Sequence, residues 1–396
     1  FSDTIFDEHD LKNTDIKDFS INNPIVGDAV RSLYDKYMQN KKDLALLADQ
    51  IISVKQQISD TSGSELSSSD MISDMLQSNN NYFKELEEIA EESSLSIDSK
   101  LGNRLKSMII FLKEKFSIDV NFSEDAFKKS FTKKFQPEKK LLNISNTLSR
   151  ESKEFMIAHQ IGLLVAKDTI DTQLKRDGII EENSFALGRN VLANYFASCL
   201  LMPYDIFFNI AEESRYDLDI LSNRFDTSFE QVSHRLTTLF RKDNKGIPFH
   251  FMRVDIAGNV SKRFSLSGLK IPRYSVACPR WNVYTAFLNP GKIKIQVSKM
   301  LDGKTFVCIA RTVSKKIGSY NSPETFFSVG LGFDAKYAKR SIYADQIDLE
   351  KPVPTGLSCR ICERENCRQR AFPPIHKNMK FDENVRGLSG YSNPNN

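Results

Sequence analysis

The stretch "EFMIAHQIGLLVA", Glu154–Ala166, decides how the first half of the chain is read. A helical H-E-x-x-H motif sets two histidines one turn apart on a zinc ion and keeps the glutamate as general base. Here His159 is followed by Gln160, and the second histidine position holds Leu163. Leucine cannot bind a metal, and a glutamine amide cannot take a proton from bound water. The apolar spacing of a buried helix is intact while its metal chemistry is gone. Peptidase activity is not expected, and no catalytic residue is assigned.

Around this helix the pattern is mostly helical. "KKLLNISN" (139–146) reads as a strand, and Ser149, Ser152 and Glu154 offer N-terminal caps to the helix in "TLSRESKEFMIAHQIGLLVAKDTID" (147–171). Upstream, "MISDMLQSNNNYFKELEEIAEE" (71–92) reads as one helix and "KLGNRLKSMIIFLKEKFSIDV" (100–120) as another, with Leu101, Leu105, Met108, Ile109 and Leu112 on one stripe. "SDTSGSELSSSD" (59–70) is a Ser-rich loop. In "NPIVGDAVRSLYDKYMQNKKDLALLADQII" (23–52), Ile25, Val30, Leu33, Tyr34 and Tyr37 recur at helical spacing, as in a connector or dimer-contact helix or equally an ordinary packed one. Downstream, Pro203 marks a helix start, and "FDTSFEQ" (225–231) is a turn with a Ser/Thr cap.

The texture changes at Lys242. "GIPFHFMRVDIAGNV" (246–260) alternates polar and apolar residues, and "GKIKIQVSKMLDGKTFVCIARTVS" (291–314) reads as two strands joined at Asp302-Gly303. "TFFSVGLGFDAKYA" (325–338) adds a strand and a short helix. The expected fold is α+β: connector and oligomerisation helices over 1–75, a helical domain over 76–241, a mixed α+β domain with a cysteine module over 242–376, and a polar tail over 377–396.

Composition sets bounds on function. The chain has 396 residues, 40% hydrophobic and 27% charged, enough for two or three domains with more than one core. It starts at Phe1, which raises the expectation of a fragment or processed product. No apolar run approaches the roughly 20 residues of a membrane span, so a cytoplasmic protein is expected. A net charge of +4 does not by itself imply nucleic-acid binding.

Six cysteines are too few for a disulfide scaffold, yet "CRICERENC" gathers Cys359, Cys362 and Cys367 as C-x2-C-x4-C. Thiolates at this spacing suit zinc or an iron–sulfur centre. Zinc would draw a fourth ligand such as His376; a 4Fe–4S cluster would draw Cys278, expected in an exposed loop beside Trp281. Spacing alone does not decide. Cys308 reads as a strand-core cysteine and Cys199 as a helix-core one.

Two resemblances organise these features. The helix at His159, followed by "ANYFASCLLMP" and "LSNRFDTSFEQVSHRLTTL", resembles the ImmA/IrrE-type metallopeptidase domain; that family's acidic third ligand falls where this chain has Ala193. Three positions of the motif depart, at Gln160, Leu163 and Ala193, which argues for systematic loss of zinc. The blocks "VLANYFASCLLMPYDIF", "FMRVDIAGNVSKRFS", "ACPRWNVYTAF", "FSVGLGFD", "SIYADQIDL" and "CRICERENCRQRAFPP" resemble the bacterial short-chain fatty acyl-CoA regulators, which include regulators of propionate and acetate metabolism. That resemblance spans about Pro24 to Pro374. It implies a transcription regulator with a degenerate ImmA/IrrE-like region, an N-terminal helix-turn-helix that is absent here, acyl-CoA effectors such as propionyl-CoA or acetyl-CoA, and a 4Fe–4S cluster, carried onto Cys278, Cys359, Cys362 and Cys367.

CoA phosphates favour arginine and lysine, and the acyl-pantetheine arm needs an apolar slot. No Gly-rich phosphate loop is present. Arg104 and Lys106 are expected on the helix before the strand, Arg215, Arg224 and Arg235 on helices around the degenerate site, and Asn194 and Tyr195 at its apolar end. The expected function is effector binding in an acyl-CoA-responsive regulator, with DNA contacted through the absent domain. The alternative is a redox or iron sensor that uses the cluster as its signal. Palindromic operators make a homodimer or tetramer the expected assembly.

Overall fold

The computed structural model describes residues 22–37, 39–40, 43, 68–97, 103–123, 131–272, 277–316, 321, 324–365, 367–375, 389 and 391. The chain divides into two compact units: 64–272 with 276–357, and 1–63 with 273–275 and 358–396. The smaller unit contains helix α1 (24–37) and the cysteine loop. Most of the Ser-rich loop expected over 59–70 lies outside the described residues.

The larger unit begins with α2 (Ser68–Ser78) and α3 (Lys84–Ser96), where one continuous helix was expected. Asn80 and Asn81 break it with φ of 52° and 49°, a left-handed pair that asparagine tolerates. α4 (Arg104–Phe116) stops before Val120 because Ser117 adopts a left-handed cap, and Asp119–Ser123 become strand β1. Of the expected stripe, Met108 and Leu112 are buried and Leu105 and Ile109 pack at the margin; Leu101 lies outside the described residues.

Strand β1 joins β2 (Lys133–Gln136) and β3 (Leu141–Ser145) in a sheet of order β1-β3-β2. β3 runs parallel to β1 and antiparallel to β2, so β2 is an edge. The region expected to be mainly helical thus carries a small sheet, of which only β3 shows an apolar sequence signal. "DVNFS" and "KKFQ" are too short and polar to stand out.

α5 (Arg150–Val165) is capped by Ser149, whose hydroxyl accepts the Ser152 N–H. It packs on α7 (Glu182–Leu201), with α6 (Lys167–Arg176) between them in sequence. A Cβ on Gly162 would lie 2.7 Å from Phe196 Cδ1, so glycine sets how closely α5 and α7 approach. Ile157, Ile161, Leu192 and Phe196 form the seam of this core.

Three further helices, α8 (Tyr204–Glu213), α9 (Leu218–Phe225) and α10 (Phe229–Leu236), cover one face of a six-stranded sheet. α10 carries a complete capping box between Ser228 and Gln231. The sheet comprises β4 (Phe249–Asp255), β5 (Val260–Ser265), β6 (Lys294–Lys299), β7 (Thr305–Lys316), β8 (Glu324–Asp334) and β9 (Val353–Pro354), in the order β5-β4-β8-β7-β6-β9. Strand alternation divides the two faces. Phe249, Phe251, Val307, Ile309, Leu331 and Phe333 meet the helices. Met252, Val254, Phe306 and Ala310 meet Trp281 and the short helix α11 (Asn282–Thr285) on the other side. The fold is α+β. Among the described residues no single helix is long and apolar enough to cross a membrane.

Candidate functional site

α5 presents the degenerate metal motif to the edge of the small sheet. His159 and Gln160 are both buried, while Leu163 packs against the core from a partly buried position and Ala193 on α7 is fully enclosed. Two of the three former ligand positions are hydrocarbon, so zinc has no donor set there. Lys133 on β2 takes up the polar groups that are left. Its Nζ lies 2.7 Å from His159 Nδ1 and 3.1 Å from Gln160 Oε1. An ammonium has only donors, so His159 Nδ1 faces a charged Lys133 as the acceptor. Burial pushes the Lys133 ammonium down to about 8, and burial together with the neighbouring Lys133 charge pushes His159 down to about 4. No sequence signal pointed to Lys133, because it lies on a four-residue strand 26 positions before His159.

The other polar residues of α5 have structural partners. Glu154, buried, accepts from Arg104 Nε at 2.7 Å and from Arg150 Nε at 3.0 Å. Arg104 also donates to the carbonyls of Leu201, Phe225 and Asp226. It pins three segments together, and its donors are spent on the protein.

The remaining candidate effector contacts do not converge on one site. Tyr195 and Arg235 share a partner in Glu87: the Tyr195 hydroxyl donates to Glu87 Oε1 at 2.8 Å, and Arg235 makes a bidentate pair at 2.6 and 2.9 Å. Arg235 is wholly buried and also donates to Met202 O and Thr238 Oγ1. Burial raises the Tyr195 hydroxyl and the adjacent Cys199 thiol well above their ordinary ranges. Asn194 is exposed on α7, Lys106 on α4 and Arg224 on α9. Arg215 is not helical. It occupies the turn after α8 with φ of 52° and pairs with Asp345 at 2.6 and 2.7 Å.

A second cluster carried no sequence signal of its own. Glu230 at the start of α10 accepts from Arg253 at 2.9 Å, Lys262 at 3.2 Å and Lys315 at 2.8 Å. Arg253 and Lys262 face each other directly in the β4–β5 register, a like-charge pair that the carboxylate holds together. Three cations on one carboxylate leave a positive surplus at this edge of the large sheet.

On the sheet face opposite the helices lies a cavity of about 20 Å³, lined by His250, Trp281, Asn282, Ser298, Met300 and Cys308 among others. That volume admits about one water molecule. His250 Nδ1 lies 2.8 Å from Ser267 Oγ, and burial pushes the imidazole down to about 3 and the Cys308 thiol up to about 11.

Cys278 is buried at 6% exposure, not exposed in a loop; its N–H donates to Leu357 O, and Trp281 Nε1 donates to Gly356 O. Cys199 is buried within its helix, as expected. In the smaller unit, Cys359, Cys362 and Cys367 are all buried, and Arg370 ties their loop by donating to the carbonyls of Cys359, Cys362 and Arg364. Thiol donors suit zinc or an iron–sulfur centre. Among the described residues, however, no three His, Cys, Asp or Glu side chains are gathered as a metal site requires. His376 lies outside the described residues.

Comparison with known proteins agrees with this architecture. The family described as "Short-chain fatty acyl coenzyme A regulator, C-terminal" matches residues 238–391, and the "IrrE N-terminal-like domain" matches residues 113–237. The chain is 35% identical over 325 residues to the HTH-type transcriptional regulator RamB of Mycobacterium tuberculosis, covering 81% of this chain and 68% of RamB. It is 35% identical to the HTH-type transcriptional regulator PrpR of the same organism, covering 81% of this chain and 66% of PrpR. It is 39% identical to the propionyl-CoA carboxylase regulator of Cereibacter sphaeroides, covering 63% of this chain and 54% of that protein. A solved structure described as a Mycobacterium tuberculosis transcriptional regulator matches with a TM-score of 0.78 at 34% identity, over 83% of this chain and all of that one. These relatives are named as regulators, and the chain spans about two thirds of the length of RamB and PrpR. The chain belongs to the short-chain fatty acyl coenzyme A regulator family.

Proposed function

We propose that the chain is the effector-binding part of a cytoplasmic transcription regulator that responds to short-chain acyl-CoA, with DNA as the partner of the whole regulator. The observation that supports it most is the family match over residues 238–391, on a chain whose peptidase-like half has lost its metal donors. Arg104, Arg215 and Arg235 are each committed to a carboxylate of the protein, so CoA phosphates would need other cations. Arg253, Lys262 and Lys315 carry surplus positive charge and are the stronger candidates. An effector acts by binding one conformation better than another, and in a homodimer this changes the placement of two DNA-binding heads.

Calorimetric titration of the anaerobically purified chain with acetyl-CoA, propionyl-CoA and free CoA tests the reading. Saturable binding that depends on acyl length is the expected result. A folded protein that binds none of the three would end it. Cluster or zinc binding at Cys359, Cys362 and Cys367 is a separate proposal on thiol donor chemistry and the family resemblance. Iron, labile-sulfide and zinc analysis of the same preparation tests it, and a metal-free, folded chain would count against it.

A further inference from the structure

Lys133, His159 and Gln160 form a constellation that is not among the proposed effector contacts. An ammonium is no nucleophile, whereas a neutral amine held against a base is one. Lys133 Nζ lies 2.7 Å from His159 Nδ1 and 3.1 Å from Gln160 Oε1, and these are its polar partners among the described residues. The short approach of Nζ to His159 Nδ1 sets the imidazole beside the amine as an acceptor for its N–H. A nucleophile and a base are thus within hydrogen-bonding reach of one another, with Gln160 as the amine's second acceptor. Lys133 is half-buried on an edge strand, while its neighbour Lys134 is exposed.

We propose that Lys133 is an acyl-accepting amine, acylated by short-chain acyl thioesters with His159 as the base that takes its proton. The amine nitrogen attacks the thioester carbonyl carbon and forms a C–N bond. The adduct collapses with cleavage of the C–S bond. The proton lost from nitrogen passes to His159 Nδ1 and then to the departing thiolate, giving an amide and a thiol with nothing oxidised or reduced. The amide keeps one N–H and no charge, so it cannot donate to both His159 and Gln160. Acylation therefore changes the contact between β2 and α5. The choice of a thioester as donor rests on the acyl-CoA reading; the reactivity of the amine does not.

The test incubates the full chain with acetyl-CoA, and separately with the CoA-free thioester S-acetyl-N-acetylcysteamine, and follows Lys133 and Lys134 by peptide mass spectrometry. With both donors Lys133 reacts at least about a hundredfold faster than Lys134, the lower end of what a positioned base supplies. The wild-type rate rises through a midpoint near pH 8, in line with the ammonium's lowered range. His159→Gln slows Lys133 by a similar factor and leaves Lys134 unchanged. Equal rates at the two lysines with either donor, or a Lys133 rate that climbs without a midpoint to pH 10, would overturn the proposal even if the variant fails to fold. Reaction with the cysteamine thioester alone, with no binding of acetyl-CoA, would retire the effector reading and keep the amine. Saturable acetyl-CoA binding with Lys133 unmodified by both donors would do the reverse.

Discussion

Arg235 and Glu87 form a bidentate ion pair in which the side chains are only 0% and 1% exposed, joining α10 to α3 across 148 positions of sequence. Taking two charges out of water is costly, and the cost is recovered only when every donor and acceptor is matched. Here Tyr195, Met202 and Thr238 complete the matching. Glu87→Ala leaves a buried guanidinium without its counter-charge and should cost about 3–5 kcal/mol of stability. Arg235→Met combined with Glu87→Leu should recover part of that loss. Urea unfolding of the wild type and the two variants checks this, and a single-variant loss below that of the double would contradict it.

Glu230 gathers three cations from three strands of the large sheet. Its carboxyl lies well below the usual carboxylate range: the Lys262 and Lys315 charges outweigh the burial that would otherwise raise it. Glu230→Gln should leave Arg253 and Lys262 repelling each other across the β4–β5 pair. The expected loss is about 2–3 kcal/mol, smaller than at Glu87 because the two lysines are nearly half exposed. The loss should shrink as salt is raised. Denaturation midpoints at low and high ionic strength measure both effects; a loss independent of salt would place its origin in packing.

Much of this arrangement was legible before the structure. Strands β4, β6, β7 and β8 follow from period-2 alternation and the Asp302-Gly303 turn, and α10 from the Ser228 cap, because those signals are local. Arg235, expected on a helix around the degenerate site, lies on α10 and is wholly buried. Its partner was not legible, since nothing local distinguishes Glu87 from the other four glutamates of "KELEEIAEE". Lys133 was invisible for the same reason: its role depends on a short polar strand meeting a helix 26 residues away. Cys278 was misplaced because a proline after a cysteine suggests a surface turn, whereas Trp281 draws that segment under the sheet.

Gly332 lies on β8 directly between His250 of β4 and Cys308 of β7. A Cβ there would run into the His250 ring and sit 2.9 Å from the Val307 carbonyl oxygen. The glycine is what lets the imidazole lie across the sheet, with Nε2 reaching to 3.9 Å from the Cys308 thiol. Gly332→Ala should cost about 1–3 kcal/mol through overpacking. It should also alter Cys308 reactivity toward a thiol reagent by moving the ring off it. Thermal unfolding and thiol labelling read the two consequences; an alanine variant as stable as wild type would mean that the ring has room to move.

Acid should unfold this protein earlier than its carboxylates alone would require. His250 is held at about 3 by burial, and His159 at about 4 by burial and then the Lys133 charge. Both values lie below the ordinary histidine value of about 6.5, so the folded state prefers neutral rings. Above about pH 6.5 neither state is protonated and the full contribution to stability is present. As the pH falls, the unfolded chain takes up protons that the folded chain refuses, and stability drops until the folded-state values are passed. The slope approaches about 1.4 kcal/mol per pH unit for each histidine. Lys133 behaves similarly at higher pH: its folded value near 8 means that stability is lost as the pH falls from about 10.5 toward 8. Lys133→Met should therefore stabilise the fold at pH 7, and His159→Gln should flatten the acid limb between pH 6.5 and 4. Urea midpoints recorded from pH 4 to 10 at constant ionic strength decide it, and an acid limb that begins only below pH 5 would show that these histidines are protonated in the folded state.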